Sequence, residues 1–344
     1  MSVYRDATVL LTGACGTVSN ELLAQLSLRG PRRIIGLDNN ENALFHSAAA
    51  WQHDERVQFV LGDIRDLDRL NRLMRGVDLI IHTAAYKHVA LCDGSPADAV
   101  SNNITGTQNV IEAAFRNNVR RVVFTSSDKA VNPTTVMGAT KLIGEQLMTA
   151  ANASGSARSG DRSPIFASIR FGNVLGSSGS VVPVFLKQIA AGGPITLTDP
   201  RMTRFVMTIS EAGRSVLHSL SVAKGGEVFT TKMPALNIKE LADALIARSD
   251  AKNVEIQIIG ARRGEKLHEE LFNTDESRRI VERGNYFVIE PKTRCTTPAR
   301  NGRPAMAMNE FQNSSETTLL SKSGIACMLK QLPSDITSNR RAGR

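Results

Sequence analysis

The sequence predicts an α/β fold, a doubly wound parallel sheet of Rossmann type with a smaller C-terminal substrate-binding lobe. Three observations carry this: short β-branched runs alternate with helix-length segments through the first half, the first run ends in a glycine-rich turn, and after residue 172 the pattern becomes shorter and mixed. In order, the runs are ATVLLTG, RRIIGLD, VQFVLGD, DLIIHTAA, RRVVFTSSD and IFASIRFG. Between them lie NELLAQLSLRG, an amphipathic stretch expected as one helix from Ala97 to Asn117, and KLIGEQLMTAANA. Strands separated by helices are βαβ units, which build a parallel sheet covered on both faces through right-handed crossovers. The Ser-, Gly- and Arg-rich insert from Ser154 to Ser163 reads as a surface loop. The expected organisation is a nucleotide-binding domain over 1–172, to which later elements return, a lobe over 173–294, and a basic tail over 295–344. Within that tail, 295–314 reads as a linker and Gly324 to Leu332 as a short helix with Ile325, Met328, Leu329 and Leu332 on one face.

A chain of 344 residues is ample for a dry core. Its net charge of +9 suggests nucleic acid, but the distribution argues otherwise: residues 292–344 hold nine Lys and Arg against three acids, leaving the remainder near balance. One Trp and three Tyr supply little stacking surface for single strands, so no nucleic-acid partner is expected. No apolar run approaches the roughly 20 residues of a membrane span, and Arg5 and Asp6 stand before a short run that leads into a motif, unlike a signal peptide. Cys15, Cys92, Cys295 and Cys327 show no C-x-x-C spacing and suit reduced thiols in the cytoplasm. Six scattered histidines give no metal-ligand pattern, so no metal is expected.

The first run ends in Thr12-Gly13-Ala14-Cys15-Gly16-Thr17-Val18-Ser19 and opens a helix. Gly13 permits the tight turn, Gly16 a close backbone approach to a pyrophosphate, and the N–H groups of the helix start, at Thr17 and Val18, attract its charge. Asp38 ends the second run where a carboxylate accepts hydrogen bonds from an adenosine ribose. That carboxylate would repel a 2′-phosphate, so NAD is favoured over NADP. Asp63 and Ile64 end the third run, at the adenine, and Ala84 and Ala85 end the fourth, small enough for a dinucleotide to pass. Ser19 stands where a third glycine is usual, which predicts slightly looser packing of helix on strand.

The fifth run leads into Ser126-Ser127-Asp128-Lys129-Ala130-Val131-Asn132-Pro133 and then Met137-Gly138-Ala139-Thr140-Lys141. The spacing resembles the extended short-chain dehydrogenase/reductase superfamily, in which a Tyr four residues before the Lys moves the proton. Met137 occupies that place here and cannot. The string SSDKAVNPTTVMGATKLIGEQL, with TGACGTVSNEL, AAYKHVALCD, NNITGTQNVIEAA, RFGNVLGSSGSVVPVFLKQI, DPRMTRFVMTISEA and ARRGEKLHEEL, resembles the UDP-N-acetylglucosamine 4,6-dehydratases of bacterial glycan biosynthesis, including a branch with this Met. The match spans residues 8 to 272, with Arg263 where the family usually has Pro.

The resemblance implies oxidation at C4 of UDP-N-acetylglucosamine by a tightly bound, recycled NAD, loss of the C5 proton and the C6 hydroxyl, and reduction at C6, with C5 configuration retained. Lys129, flanked by the cations Lys87 and Lys141, is expected to be neutral enough to act as the C5 base. Asp128 is expected to protonate the departing hydroxyl, Ser127 to bond the C4 oxygen, and Lys141 to hold the nicotinamide ribose. Lys87 and His88 reach phosphate or sugar, Asn103 orders backbone beside the cofactor, and Asn173 faces the substrate. Arg204 and Arg262 are expected on the diphosphate, Glu265 on a ribose, and Lys187 nearby. A homodimer or higher homo-oligomer is expected. The competing readings are a C5-inverting dehydratase, another nucleotide-sugar epimerase, and a regulatory NAD-binding protein without activity.

Overall fold

The computed structural model describes residues 2–159, 163–249, 251, 253–292 and 312–332. Six runs become strands β1 (Thr8–Thr12), β2 (Arg33–Asp38), β3 (Val57–Leu61), β4 (Leu79–His82), β5 (Arg121–Ser127) and β6 (Ile165–Phe171). Between them lie α1 (Thr17–Ser27), α2 (Glu41–Ala50), α3 (Leu67–Leu73), α4 (Val89–Gly94), α5 (Pro96–Val100), α6 (Gly106–Arg116) and α7 (Val136–Ser159). The later chain adds β7 (Asn173–Val174), α8 (Val181–Ala190), β8 (Ile195–Leu197), β9 (Thr203–Met207), α9 (Ile209–Val222), β10 (Val228–Thr231), β11 (Ala235–Asn237), α10 (Ile238–Arg248) and β12 (Ile256–Ile258). It ends with α11 (Thr274–Ser277), β13 (Ile280–Arg283), β14 (Tyr286–Ile289) and α12 (Lys322–Lys330).

The main sheet runs β13-β14-β10-β6-β5-β4-β1-β2-β3. It is parallel from β3 to β10, and β14 and β13 close the edge antiparallel. Strand order reverses between β1 and β4, and in open α/β sheets ligands bind beyond the strand ends at such a switch. Because successive side chains point to opposite faces, Val9, Leu11, Ile81, Val123 and Ile169 pack on one side against α1 and α9. Leu10, Ile80, Val122, Phe124 and Phe166 pack on the other against α6 and α7. A third core belongs to the lobe, where Phe185 and Ile189 of α8, Leu241 and Leu245 of α10, and Ile325, Met328 and Leu329 of α12 meet.

The structure departs from the sequence reading in two places. The stretch from Ala97 to Asn117 is helical as expected but not uniformly α: a π-turn at Ser101–Thr105 shifts the register between α5 and α6, and the Asn103 side chain turned inward there bonds the backbone of Tyr86. Residues 154–159, read as loop, continue α7 as helix, while 160–162 lie outside the described residues. The strands β10, β13 and β14 are later elements that return to the main sheet. Of the expected linker and tail, 293–311 and 333–344 lie outside the described residues, yet Asn313 already bridges to Glu270. One buried polar knot braces this frame: Arg170 on β6 forks onto Glu145 of α7 (2.9 and 2.7 Å) and Glu276 of α11 (2.9 and 2.6 Å).

Candidate active site

A cleft of about 810 Å³ opens at the C-terminal ends of β1, β2, β4 and β5. Its first arm fits a dinucleotide. Gly13 has φ +68°, and a Cβ there would stand 2.8 Å from the backbone of Ala84, so only glycine lets the β1 turn touch the end of β4. No side chain caps α1 at Gly16, which leaves its first-turn N–H groups facing the cleft wall formed by Gly16, Thr17 and Val18. The Asp38 carboxylate accepts hydrogen bonds from the N–H groups of Cys15 and Asn40, both at 3.0 Å, and so locks the glycine turn to the end of β2. Asp63, Ile64, Ala84 and Ala85 line the same arm. Asp63 pairs with Arg65 at 2.6 Å, which pulls its carboxyl down to about 2. Ser19, where a third glycine is usual, is buried and hydrogen-bonds Thr83 Oγ1 at 2.8 Å, a polar tie between α1 and the end of β4.

The second arm holds the reactive groups. Gly138 lets the first turn of α7 press on the turn after β5, since a Cβ there would meet the Lys129 carbonyl at 2.3 Å. Ser127 Oγ donates to Asp128 Oδ1 at 2.9 Å, and Lys129 Nζ donates to the same oxygen at 2.9 Å. Ser127 and Lys129 line the cleft, whereas Asp128 is fully buried behind them. Lys129 Nζ also lies 3.4 Å from Asn173 Oδ1 and 3.3 Å from Glu269 Oε1. Its surroundings are therefore anionic, not the cationic cluster expected with Lys87 and Lys141. Burial alone would lower the Lys129 ammonium, but the Asp128 and Glu269 carboxylates override it and hold the group above its ordinary value.

Lys141 is buried, donates to the Thr125 carbonyl at 2.9 Å, and is lowered by burial to about 8. Met137, packed with Cys92 and Ala99, fills the wall where the superfamily tyrosine is usual. Lys87 donates to the Ser178 carbonyl at 2.7 Å while the Ser178 N–H bonds Thr17 Oγ1 at 3.0 Å, so a strap crosses the cleft beside His88.

The remaining expectations move. Asn103 is buried behind the cleft wall, bonded to Tyr86 and Thr140. Lys187 and Arg262 are exposed, and neither lines the cleft. Arg204 is buried and its guanidinium is consumed by the carbonyls of Thr203 (2.8 Å), Lys266 (2.9 Å) and Leu267 (3.0 Å), so it braces its own chain rather than presenting donors to a phosphate. Glu265 accepts from the Arg262 N–H at 3.1 Å and is likewise off the cleft. Sequence reasoning missed Glu269, which in HEEL looks like a solvated helix face; only the packing of 264–270 on the turn after β5 brings it to Lys129. It also missed Tyr86, Asn102 and the 177–181 loop on the wall.

Residues 9–291 match the family described as "Polysaccharide biosynthesis protein". The chain is 44% identical over 297 residues to an uncharacterized membrane protein of Methanocaldococcus jannaschii, covering 84% of this chain and 87% of that one. It is 38% identical over 294 residues to a UDP-N-acetylglucosamine 4,6-dehydratase (inverting) of Campylobacter jejuni, covering 84% of each. Among solved structures, Pen from Bacillus thuringiensis superposes with a TM-score of 0.87 at 35% identity, over 96% of this chain and 99% of that one. A glycine turn at a switch point, a Ser-Asp-Lys end to β5, and matches of this extent give one conclusion: the chain belongs to the polysaccharide biosynthesis protein family of extended short-chain dehydrogenases/reductases.

Proposed function

We propose that the protein is a UDP-N-acetylglucosamine 4,6-dehydratase with NAD as its resident cofactor, acting in bacterial surface glycan biosynthesis. The observation that carries this reading is the Ser127-Asp128-Lys129 cluster, hydrogen-bonded within itself and facing a dinucleotide arm, with Met137 in the place of the tyrosine. A bound nicotinamide supplies the acceptor for the C4 hydride and its return to C6. The glycine turn, the α1 N-terminus and Asp38 hold such a cofactor, and the Asp38 charge favours NAD over NADP.

The chain's own residues handle the protons. Ser127, open to the cleft and donating to Asp128, relays the C4 hydroxyl proton to that carboxylate. Asp128 then returns it through Ser127 to the departing C6 hydroxyl, which leaves as water. The Lys129 amine, once free of its own proton, takes the C5 proton and gives it back. Proton balance is closed at the end of the cycle. Lys141 and Asn173 position ribose and sugar, and Lys87 with His88 covers them. Return by the same amine to the same face supports retention at C5, whereas the Campylobacter relative carries an inverting name. Among the described residues no helix is long and apolar enough to cross a membrane. We place the protein in the cytoplasm as a homo-oligomer, with Val100 and Ile143 exposed on the packed helices α5 and α7 as the apolar contact.

Proton NMR of the product from purified protein and UDP-N-acetylglucosamine tests the reading and reports C5 configuration. A 4-epimer or no conversion overturns it. An inverted 4-keto-6-deoxy sugar overturns only retention.

A further inference from the structure

The catalysis proposed above needs a neutral Lys129 amine, yet the resting geometry holds an ammonium, and nothing assigned so far takes its proton. The four charges around this point come from three parts of the chain. Asp128 and Lys129 follow β5, Arg204 comes from β9, and Glu269 comes from the segment after β12. Glu269 Oε1 lies 3.3 Å from Lys129 Nζ and 3.8 Å from Arg204 Nε. Glu269 is 3% exposed and does not line the cleft, so it touches no substrate. Its second oxygen, Oε2, is buried without a hydrogen-bond partner among the described residues, as is Asp128 Oδ2.

A buried carboxylate with one oxygen left without a partner is one that gains from accepting a proton. Burial raises the Glu269 carboxyl, Asp128 raises it further, and Lys129, Arg204 and Lys266 pull it down, with a net rise. His268, the neighbour in sequence, faces Thr203 instead, and Glu270 pairs with Lys266. The backbone of Glu269 is fixed from the far end of the chain: its N–H donates to Ser314 Oγ at 2.9 Å, and the Ser314 N–H donates to its carbonyl at 2.9 Å. Ser314 is fully buried, and through it the segment before α12 registers Glu269 against Lys129.

We propose that Glu269 is a positioning residue that stores the Lys129 proton, so that the amine is freed inside the protein rather than by exchange with solvent. The step balances as a single proton transfer: an N–H bond of the Lys129 ammonium breaks, an O–H bond forms on Glu269, and the ion pair becomes a neutral amine beside a neutral acid. After the amine has returned the C5 proton to the product, the stored proton passes back. The C-terminal segment thereby has a role in the chemistry, holding the store in register.

This rests on the dehydratase reading, and its test separates the two. Wild-type protein is first assayed with UDP-N-acetylglucosamine; absence of a 4-keto-6-deoxy product defeats that reading, not this one. Given product, kcat/KM is followed against pH for wild type, Glu269→Gln and Glu269→Asp. Internal transfer predicts a wild-type profile that is flat through neutral pH. Glu269→Gln must release the Lys129 proton to solvent, so its kcat/KM rises about tenfold per pH unit over the same range. Glu269→Asp restores part of the flat region. A Gln variant slowed by one factor at every pH, with the wild-type shape kept, shows a merely structural role and overturns the proposal. Should the Gln variant fail to fold, the wild-type profile still decides, because a unit slope through neutral pH in the wild type refutes an internal store.

Discussion

Lys141 offers the most quantitative check on the site's electrostatics. Its ammonium is buried, with one hydrogen bond to the Thr125 carbonyl and the Phe124 ring 4.7 Å away. Burial lowers it from 10.5 to about 8. A depressed lysine binds its proton less well in the fold than in the unfolded chain, so stability rises with pH between about 8 and 10.5, and the penalty is complete and constant below about 8. At about 1.4 kcal/mol per pH unit the gap corresponds to roughly 3 kcal/mol carried against the fold at pH 7. Lys141→Met removes that penalty and keeps the volume, but loses a hydrogen bond of about 1 kcal/mol. The variant is therefore expected to be about 2 kcal/mol more stable than wild type at pH 7 and about 1 kcal/mol less stable near pH 10.5. Urea unfolding of both proteins at the two pH values measures this, and the difference between them cancels the titration of Tyr4, whose phenol burial raises in both. A stability difference that does not change with pH would refute a buried, depressed Lys141.

Other perturbations follow from the same geometry. Gly13→Ala forces a φ of +68° on a residue with a Cβ and drives it into Ala84; strain of about 1–2 kcal/mol plus that clash should weaken NAD binding tenfold or more in calorimetry. Arg170→Met strands the Glu145 and Glu276 carboxylates in the core, and denaturant unfolding should show a loss of about 3–5 kcal/mol. Lys129→Ala removes the amine that faces the cleft and should lower kcat about 10²- to 10⁴-fold in a product assay, with the protein still folded by circular dichroism.

What the sequence made legible follows from the range of each interaction. The βαβ alternation and the glycine turn are local signals, and the strand order, the φ of Gly13 and the cleft position of Asp38, Asp63, Ser127 and Lys129 agree with them. The π-turn at Ser101–Thr105 has no local signature because Asn103 is drawn inward by Tyr86, a contact made with the β4–α4 loop. In the lobe, packing sets what the charges meet: backbone carbonyls take the donors of Arg204, and Glu265 accepts from the Arg262 N–H. The anionic surroundings of Lys129 depend on residues 140 positions apart in sequence, and no local pattern encodes such a meeting.

The central claim is that the Ser127-Asp128-Lys129 cluster performs a dehydration without a tyrosine. Proton NMR of purified protein incubated with UDP-N-acetylglucosamine tests it most directly. The account predicts a C6 methyl doublet and a C4 ketone or its hydrate, formed with no added reductant. Recovery of unchanged UDP-N-acetylglucosamine, or of its 4-epimer with the C6 hydroxymethyl intact, would contradict it.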